Sequence, residues 1–154
     1  MSRRATAIDY ALLLLRLAGL FLAIRHGWGK VYGLSTGSEG FVNAVSGLGF
    51  PMALFFAWAA GLAEFVGGLA VTLGLFTRTA AFFAACTMAT AAFIRHQALV
   101  QFGAWIGLLS VDADTLRSYG SPEMSMLFLL IMGSLLVLGG GRFSVDHKLA
   151  NRRR

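Results

Sequence analysis

Four apolar stretches, roughly 8–28, 52–76, 79–96 and 124–139, constrain this chain more than any other feature. A bilayer core of about 30 Å takes on the order of 20 helical residues to cross, and these runs meet or approach that length. In lipid every backbone N–H and C=O must find its partner inside the protein, so spans of this kind are helices. The rest of the 154 residues cannot offset them: 57% of the chain is hydrophobic and 13% charged, with mean hydropathy +0.72, too apolar for a soluble domain of this size. The expected fold is all-α, a polytopic membrane protein forming one four-transmembrane-helix bundle over residues 1–154. The third and fourth spans are short, which implies a thin local bilayer or ragged ends.

Two further segments read as short interfacial helices. Phe41, Val42, Val45 and Leu48 share one helical face after the capping candidate Ser38, and residues 98–109 form a second apolar element before the polar run 112–122. Charge sets the expected orientation, because Lys and Arg near span ends favour the cytoplasm. Of 13 cations, Arg3, Arg4, Arg78, Arg142, Lys148, Arg152, Arg153 and Arg154 fall on one side, Arg25, Lys30, Arg95 and Arg117 on the other, and Arg16 within the first span. Eight against four places both termini in the cytoplasm of a plasma or inner-membrane protein. Arg3-Arg4 then reads as a topology anchor rather than the start of a cleaved export signal. The net charge of +6 is spread over span ends, not gathered on a polar face, so nucleic acid is not an expected partner. A single cysteine, Cys86, excludes a disulfide scaffold, a Cys₄ zinc site and a CxxC redox centre, and it reads as a packed small hydrophobe.

A faint repeat runs through the chain. Ile24-Arg25-His26 recurs as Ile94-Arg95-His96 at the ends of the odd spans, and Leu73-Gly74 before Arg78 echoes Leu138-Gly139 before Arg142 at the ends of the even ones. Two helical hairpins related by an axis along the membrane normal would produce this pattern.

Charged groups inside a span cost about 2.5–3.5 kcal/mol each on insertion scales. Arg16 and Glu64 are the two read as intramembrane, about 12 Å and 18 Å from the inner surface by helix rise, and an Arg side chain covers the difference. The expectation is an ion pair, either fixing helix register or edging a substrate or proton site. His26 and His96 fall at one depth near the outer interface, with Arg25, Trp28, Lys30, Tyr32 and Arg95 around them. This rim reads either as an ordinary aromatic and cationic belt or as a pocket for a quinone-like or small anionic ligand. A bis-His haem across the first and third spans is allowed but less favoured, and no metal site is expected because no third ligand lies at that depth.

The order of certain motifs resembles the DoxX family of small four-helix membrane proteins. They are Arg16 with Gly19; His26-Gly27 with Lys30; Gly61, Glu64 and Gly67-Gly68; residues 74–78, GLFTR; and residues 141–146, GRFSVD. The resemblance implies Arg16, His26, Lys30, Glu64 and Arg78 as functional candidates, to which the rim adds Trp28, Arg95 and His96. Family members of this kind are linked to thiosulfate:quinone oxidoreduction, catechol and quinone stress, and complexes with soluble redox enzymes. Others in the wider clan are accessory proteins, a cargo receptor and assembly chaperones. The leading expectation is therefore a quinone-linked or redox-stress membrane subunit, such as a subunit of a quinone-linked oxidoreductase. The alternative is a non-enzymatic scaffold or assembly factor recruiting soluble partners. Clan members with dithiol chemistry use paired cysteines, so direct thiol oxidation by this chain alone is not expected. Catalytic residues, substrate identity and oligomeric state are not legible at this level.

Overall fold

A computed structural model describes residues 3–152, with side chains over 6–152. Arg153 and Arg154 and the side chains of Arg3 and Arg4, which enter the charge count above, lie outside the described residues. The elements are α1 (Arg3–Leu22), a π-helical turn (Ala23–Gly27), α2 (Trp28–Ser35), α3 (Gly40–Gly47), α4 (Ala53–Leu73), α5 (Thr77–Ala89), a second π-helical turn (Thr90–Arg95), α6 (Ala98–Trp105), α7 (Ala113–Tyr119), α8 (Glu123–Leu138) and α9 (Val145–Arg152). No strand occurs among the described residues. Three helical stretches are long and apolar enough to cross a membrane by themselves: Thr6–Ser35, Ala53–Leu73 and Thr77–Arg95. Helices α7 and α8, bent by 45° at their junction, pass the same test only as a pair, which gives three to four candidate crossings among the described residues.

These bounds correct the sequence reading in three places. The first span does not stop at Trp28 but continues to Ser35, because Arg25 and Lys30 do not interrupt a helical backbone. At about 1.5 Å per residue its 30 residues exceed the bilayer core, so its far end projects or the helix tilts. The polar run 112–122 contains a helix, α7, started by Asp112, whose carboxylate accepts from Thr115 N–H at 2.8 Å. Hydrogen bonds from Thr115 hold the Asp112 carboxyl below its usual pKa. The short helix α3 exists, but Ser38 does not cap it; its N-cap is Glu39, without a side-chain bond.

The core lies among α1, α4, α5 and α8, around Leu12, Leu22, Val71, Met88, Phe128, Met132 and Leu135. Helix α5 contributes Ala80, Ala81, Ala84 and Ala85, a small-residue face that brings its backbone close to its neighbours. The α1–α4 crossing is closer still, since a Cβ on Gly68 would stand 2.5 Å from the Gly19 carbonyl oxygen and 3.0 Å from Ala23 N. Bulky apolar side chains instead face outward, among them Leu14, Phe21, Phe55, Val66, Phe83, Leu130 and Val137. On a monomer in water this would be an aggregation surface, whereas a bilayer supplies a matching solvent. Cys86 is on that outer face, exposed rather than packed, because the inward positions of α5 are taken by alanines.

The repeat noted in the sequence has a structural counterpart. Both Ile-Arg-His triplets stand at π-helical turns, one within the first and one at the end of the second. Both Leu-Gly pairs end even-numbered spans on a positive-φ glycine, Gly74 at 72° and Gly139 at 79°.

Candidate functional site

Glu64 sits on the inward face of α4 with 1% of its side chain exposed, and it is held by Lys30 rather than Arg16. Lys30 Nζ lies 2.5 Å from Glu64 Oε1. The other carboxylate oxygen, Oε2, is buried and has no hydrogen-bond partner among the described residues. A buried carboxylate with one oxygen satisfied and one free is costly, about 1–3 kcal/mol or more for the unmade bond. Such a group in a native structure calls for a reason.

Several elements build this site. The π-turn Ala23–Gly27 adds one residue to the helical ladder, which turns α2 by about 100° relative to an uninterrupted α-helix and sets which face Lys30 occupies. Gly27 lets the first span press against α4, for a Cβ there would stand 2.6 Å from Phe65 Cα and 2.7 Å from the Glu64 carbonyl carbon. Lys30 Nζ is covered from the other side by the Phe41 ring of α3, 4.8 Å from its centroid. His26 lies edge-on to Phe128 of α8 at 5.8 Å, and Glu64, Lys30 and Arg25 are the charges that act on it. Trp28 stacks on Tyr32 at 5.9 Å and tilts against Phe65 at 5.5 Å, with half its surface open. The result is a buried acceptor, a cationic donor, an imidazole and an aromatic wall within one end of the bundle.

The remaining candidates lie elsewhere. His96 Nδ1 meets the Tyr119 carbonyl at 2.7 Å, and Arg95 reaches the same oxygen at 3.4 Å. Gln101 completes this clasp by donating to the carbonyls of His96 and Gly120 at 2.6 and 2.8 Å. Arg95 and His96 thus tie the α7 loop to the third span, each with neighbours different from those of His26.

The expected Arg16–Glu64 pair is not formed. Arg16, 3% exposed, donates to Thr72 O from Nε at 3.3 Å and from Nη2 at 3.1 Å, and to Gly140 O from Nη1 at 2.9 Å. The physical reason is local: the last carbonyls of α4 and those beyond α8 have no intrahelical partner and carry partial negative charge, and Arg16 is nearer to them than to Glu64. Depth arithmetic located both groups but could not see these backbone acceptors.

Arg16 belongs to a second polar cluster at the end of the bundle that carries Asp9 and α9. Asp146 accepts from Phe76 N–H at 2.7 Å, Thr77 N–H at 2.8 Å and Thr77 Oγ1 at 2.7 Å, capping α5 from 70 residues away in sequence. Its own N–H donates to Gly74 O at 2.9 Å. Asp9, 7% exposed, accepts from Arg142 N–H at 3.0 Å. Arg78 donates to Val137 O at 3.0 Å, at the end of α8. Asp9 and Asp146 were missed as polar anchors, although Asp9 stands at the second position of the first apolar run and Asp146 ends the GRFSVD motif. Asp146→Ala is expected to lower stability by about 2 kcal/mol, the loss of a helix cap with its donors left unpaired. Thermal unfolding in detergent measures this, and Asp146→Asn should retain part of it.

Comparison with known proteins agrees with this architecture. The DoxX family model matches residues 11–97, which take in α1 from Ala11 onward, the first π-turn, α4, α5 and the second π-turn. The chain is 32% identical over 145 residues to the inner membrane protein YqjF of Escherichia coli, covering 94% of this chain and 95% of that one. It is 39% identical over 139 residues to an uncharacterized protein of Haemophilus influenzae, with 90% of each chain covered. To the uncharacterized membrane protein Rv3486 of Mycobacterium tuberculosis it is 37% identical over 106 residues, 68% of this chain and 62% of that one. No solved structure matches the chain. A helical bundle built for lipid, a family model over most of its first three spans and a relative matched almost end to end lead to one conclusion: the chain belongs to the DoxX family of membrane proteins.

Proposed function

We propose that this protein is the membrane subunit of a quinone-linked or redox-stress system, and that Glu64, Lys30 and His26 receive the polar head of a quinone or a small anion. The observation that carries the reading is the half-satisfied Glu64 carboxylate, buried beside Lys30 with Oε2 unpartnered among the described residues. Intramembrane ionisable groups mark substrate or proton paths more often than they stabilise a fold. A ligand hydroxyl can donate to Oε2, a ligand carbonyl or oxyanion can accept from Lys30, and the faces of Trp28 and Tyr32 suit a flat ring. Electron transfer itself is assigned to a partner redox enzyme; this chain binds, orients and exchanges protons.

Trp28 fluorescence tests the reading in a Trp58→Phe, Trp105→Phe background. A water-soluble quinone analogue is expected to quench wild type saturably. Glu64→Gln, Lys30→Ala and His26→Ala should each weaken apparent binding about tenfold, the loss of one charge-assisted hydrogen bond, while Lys148→Ala leaves it unchanged. Absence of saturable quenching in wild type, or equal quenching in all variants, refutes the site. It would favour the scaffold reading, for which the exposed cations of α9, Lys148 and Arg152, offer a docking face.

Both termini are proposed to be cytoplasmic, in the plasma or inner membrane, on the count of eight cations against four. In a Cys86→Ala background, a cysteine at Asn151 should resist an impermeant thiol reagent in intact cells and one at Thr36 should react. The reverse pattern overturns the orientation.

A further inference from the structure

At the end of the bundle opposite Glu64, an open cleft of about 520 Å³ lies between the start of α5, the end of α8 and the start of α9. Its charged lining is Asp9, Arg78, Arg142 and Asp146. The two carboxylates are already engaged. Asp146 accepts three hydrogen bonds from Phe76 and Thr77, and Asp9 accepts from Arg142 N–H with the Arg142 Nε 4.0 Å from its second oxygen. The guanidinia are not used up. Arg78 spends one Nη2 bond on Val137 O, Arg142 makes one long contact through Nε, and each side chain is exposed at the cleft. A guanidinium has five N–H donors, so several on each have no partner among the described residues and are available to whatever occupies the opening. Beneath them the buried cation Arg16 donates to the carbonyl of Gly140 in the cleft wall, so three guanidinia against two carboxylates make the local field favour an anion.

The lip of the cleft is apolar. Phe76 and Leu138 line it and are 69% and 58% exposed. The cleft thus stands where spans end, the level at which lipid headgroups would lie, and it sets guanidinia beside exposed apolar side chains. We propose that the cleft is a binding site for a phosphate group, held between Arg78 and Arg142, and that the lip selects the form carried on an anionic phospholipid. A tetrahedral phosphate presents oxygens to two guanidinia on separate walls, whereas a planar carboxylate is matched by a single fork. The site is independent of the one around Glu64.

The test uses the full chain in a neutral detergent, titrated with phosphatidylglycerol, phosphatidylcholine or inorganic phosphate, reading thermal stability and lipid retained in native mass spectrometry. Phosphatidylglycerol should raise the unfolding temperature of wild type saturably and phosphatidylcholine should do so weakly. Arg78→Gln and Arg142→Gln should each weaken phosphatidylglycerol about tenfold, with Lys148→Gln unchanged. Arg78→Lys, which keeps the charge but not the fork, should fall between and carries the test where Arg78→Gln does not fold. Stabilisation by inorganic phosphate equal to that by the lipid, and lost in the same variants, would keep the phosphate site but refute the lipid source. Equal effects of the two lipids, or variants that bind phosphatidylglycerol as wild type does, overturn the proposal.

Discussion

Replacing Lys30 by Met is expected to destabilise the bundle by about 3–5 kcal/mol, because it leaves the buried Glu64 carboxyl without its cation. Glu64→Gln alone should cost less, since Lys30 is a quarter exposed and can turn its ammonium toward water. The double variant Lys30→Met/Glu64→Gln should recover much of the first loss, so the two changes are strongly non-additive. Arg16→Met should also destabilise, through three lost bonds to the carbonyls of Thr72 and Gly140, but it should add to Glu64→Gln without recovery. Thermal unfolding in one detergent across the singles and both doubles separates the cases. Recovery in the Arg16/Glu64 double and none in the Lys30/Glu64 double would restore the pairing expected from span depth.

Deleting Ile24 is expected to have a larger effect on the site than any single substitution in it. Ile24 is 58% exposed, so its side chain contributes little packing, but it lies in the π-turn that adds one residue to the first span. Removing one residue restores an uninterrupted α-helical register and turns α2 by about 100° relative to α1. Lys30 then leaves the α4 face. A cysteine pair reads this out directly: a Cβ at Gly61 would stand 3.5 Å from Lys30 Cβ, within the range that a disulfide spans. In a Cys86→Ala background, Lys30→Cys with Gly61→Cys should cross-link nearly completely under mild oxidation. With Ile24 deleted the same pair should not. Equal cross-linking in both would mean that the π-turn does not set the register of Lys30.

How much of this was legible in the chain differs by level. The lipid-borne helical class followed from hydropathy alone, because a run of apolar residues without internal hydrogen-bond partners other than its own backbone has one stable form in a bilayer. The second span was read as ending at 76, three residues beyond Leu73, where Gly74 ends α4, and the first was read short because polar residues, Arg25 and Lys30, stand inside a continuing helix. Helix α7 was hidden because a polar, exposed helix lacks the apolar periodicity that marks the others. The weak Ile-Arg-His repeat was visible as letters, but nothing in the letters announces a π-turn.

What the sequence determined by itself is the solvent this protein is built for, the approximate number of crossings, and the identity of Arg16, Glu64, Lys30 and His26 as polar residues in or near apolar spans. Those are properties of residue type and local pattern. Which of them meet was decided only by the tertiary structure. One extra residue in a helical turn redirects Lys30, two close glycine contacts set the distance between α1 and α4, and backbone carbonyls at helix ends compete for Arg16. The linear pattern carries depth along a helix but not rotation about it, and an ion pair needs both. The link from Asp146 to the start of α5 is the same lesson at longer range: the donors at Phe76 and Thr77 are created by the helix terminus, and the acceptor reaches them only after the last span has returned.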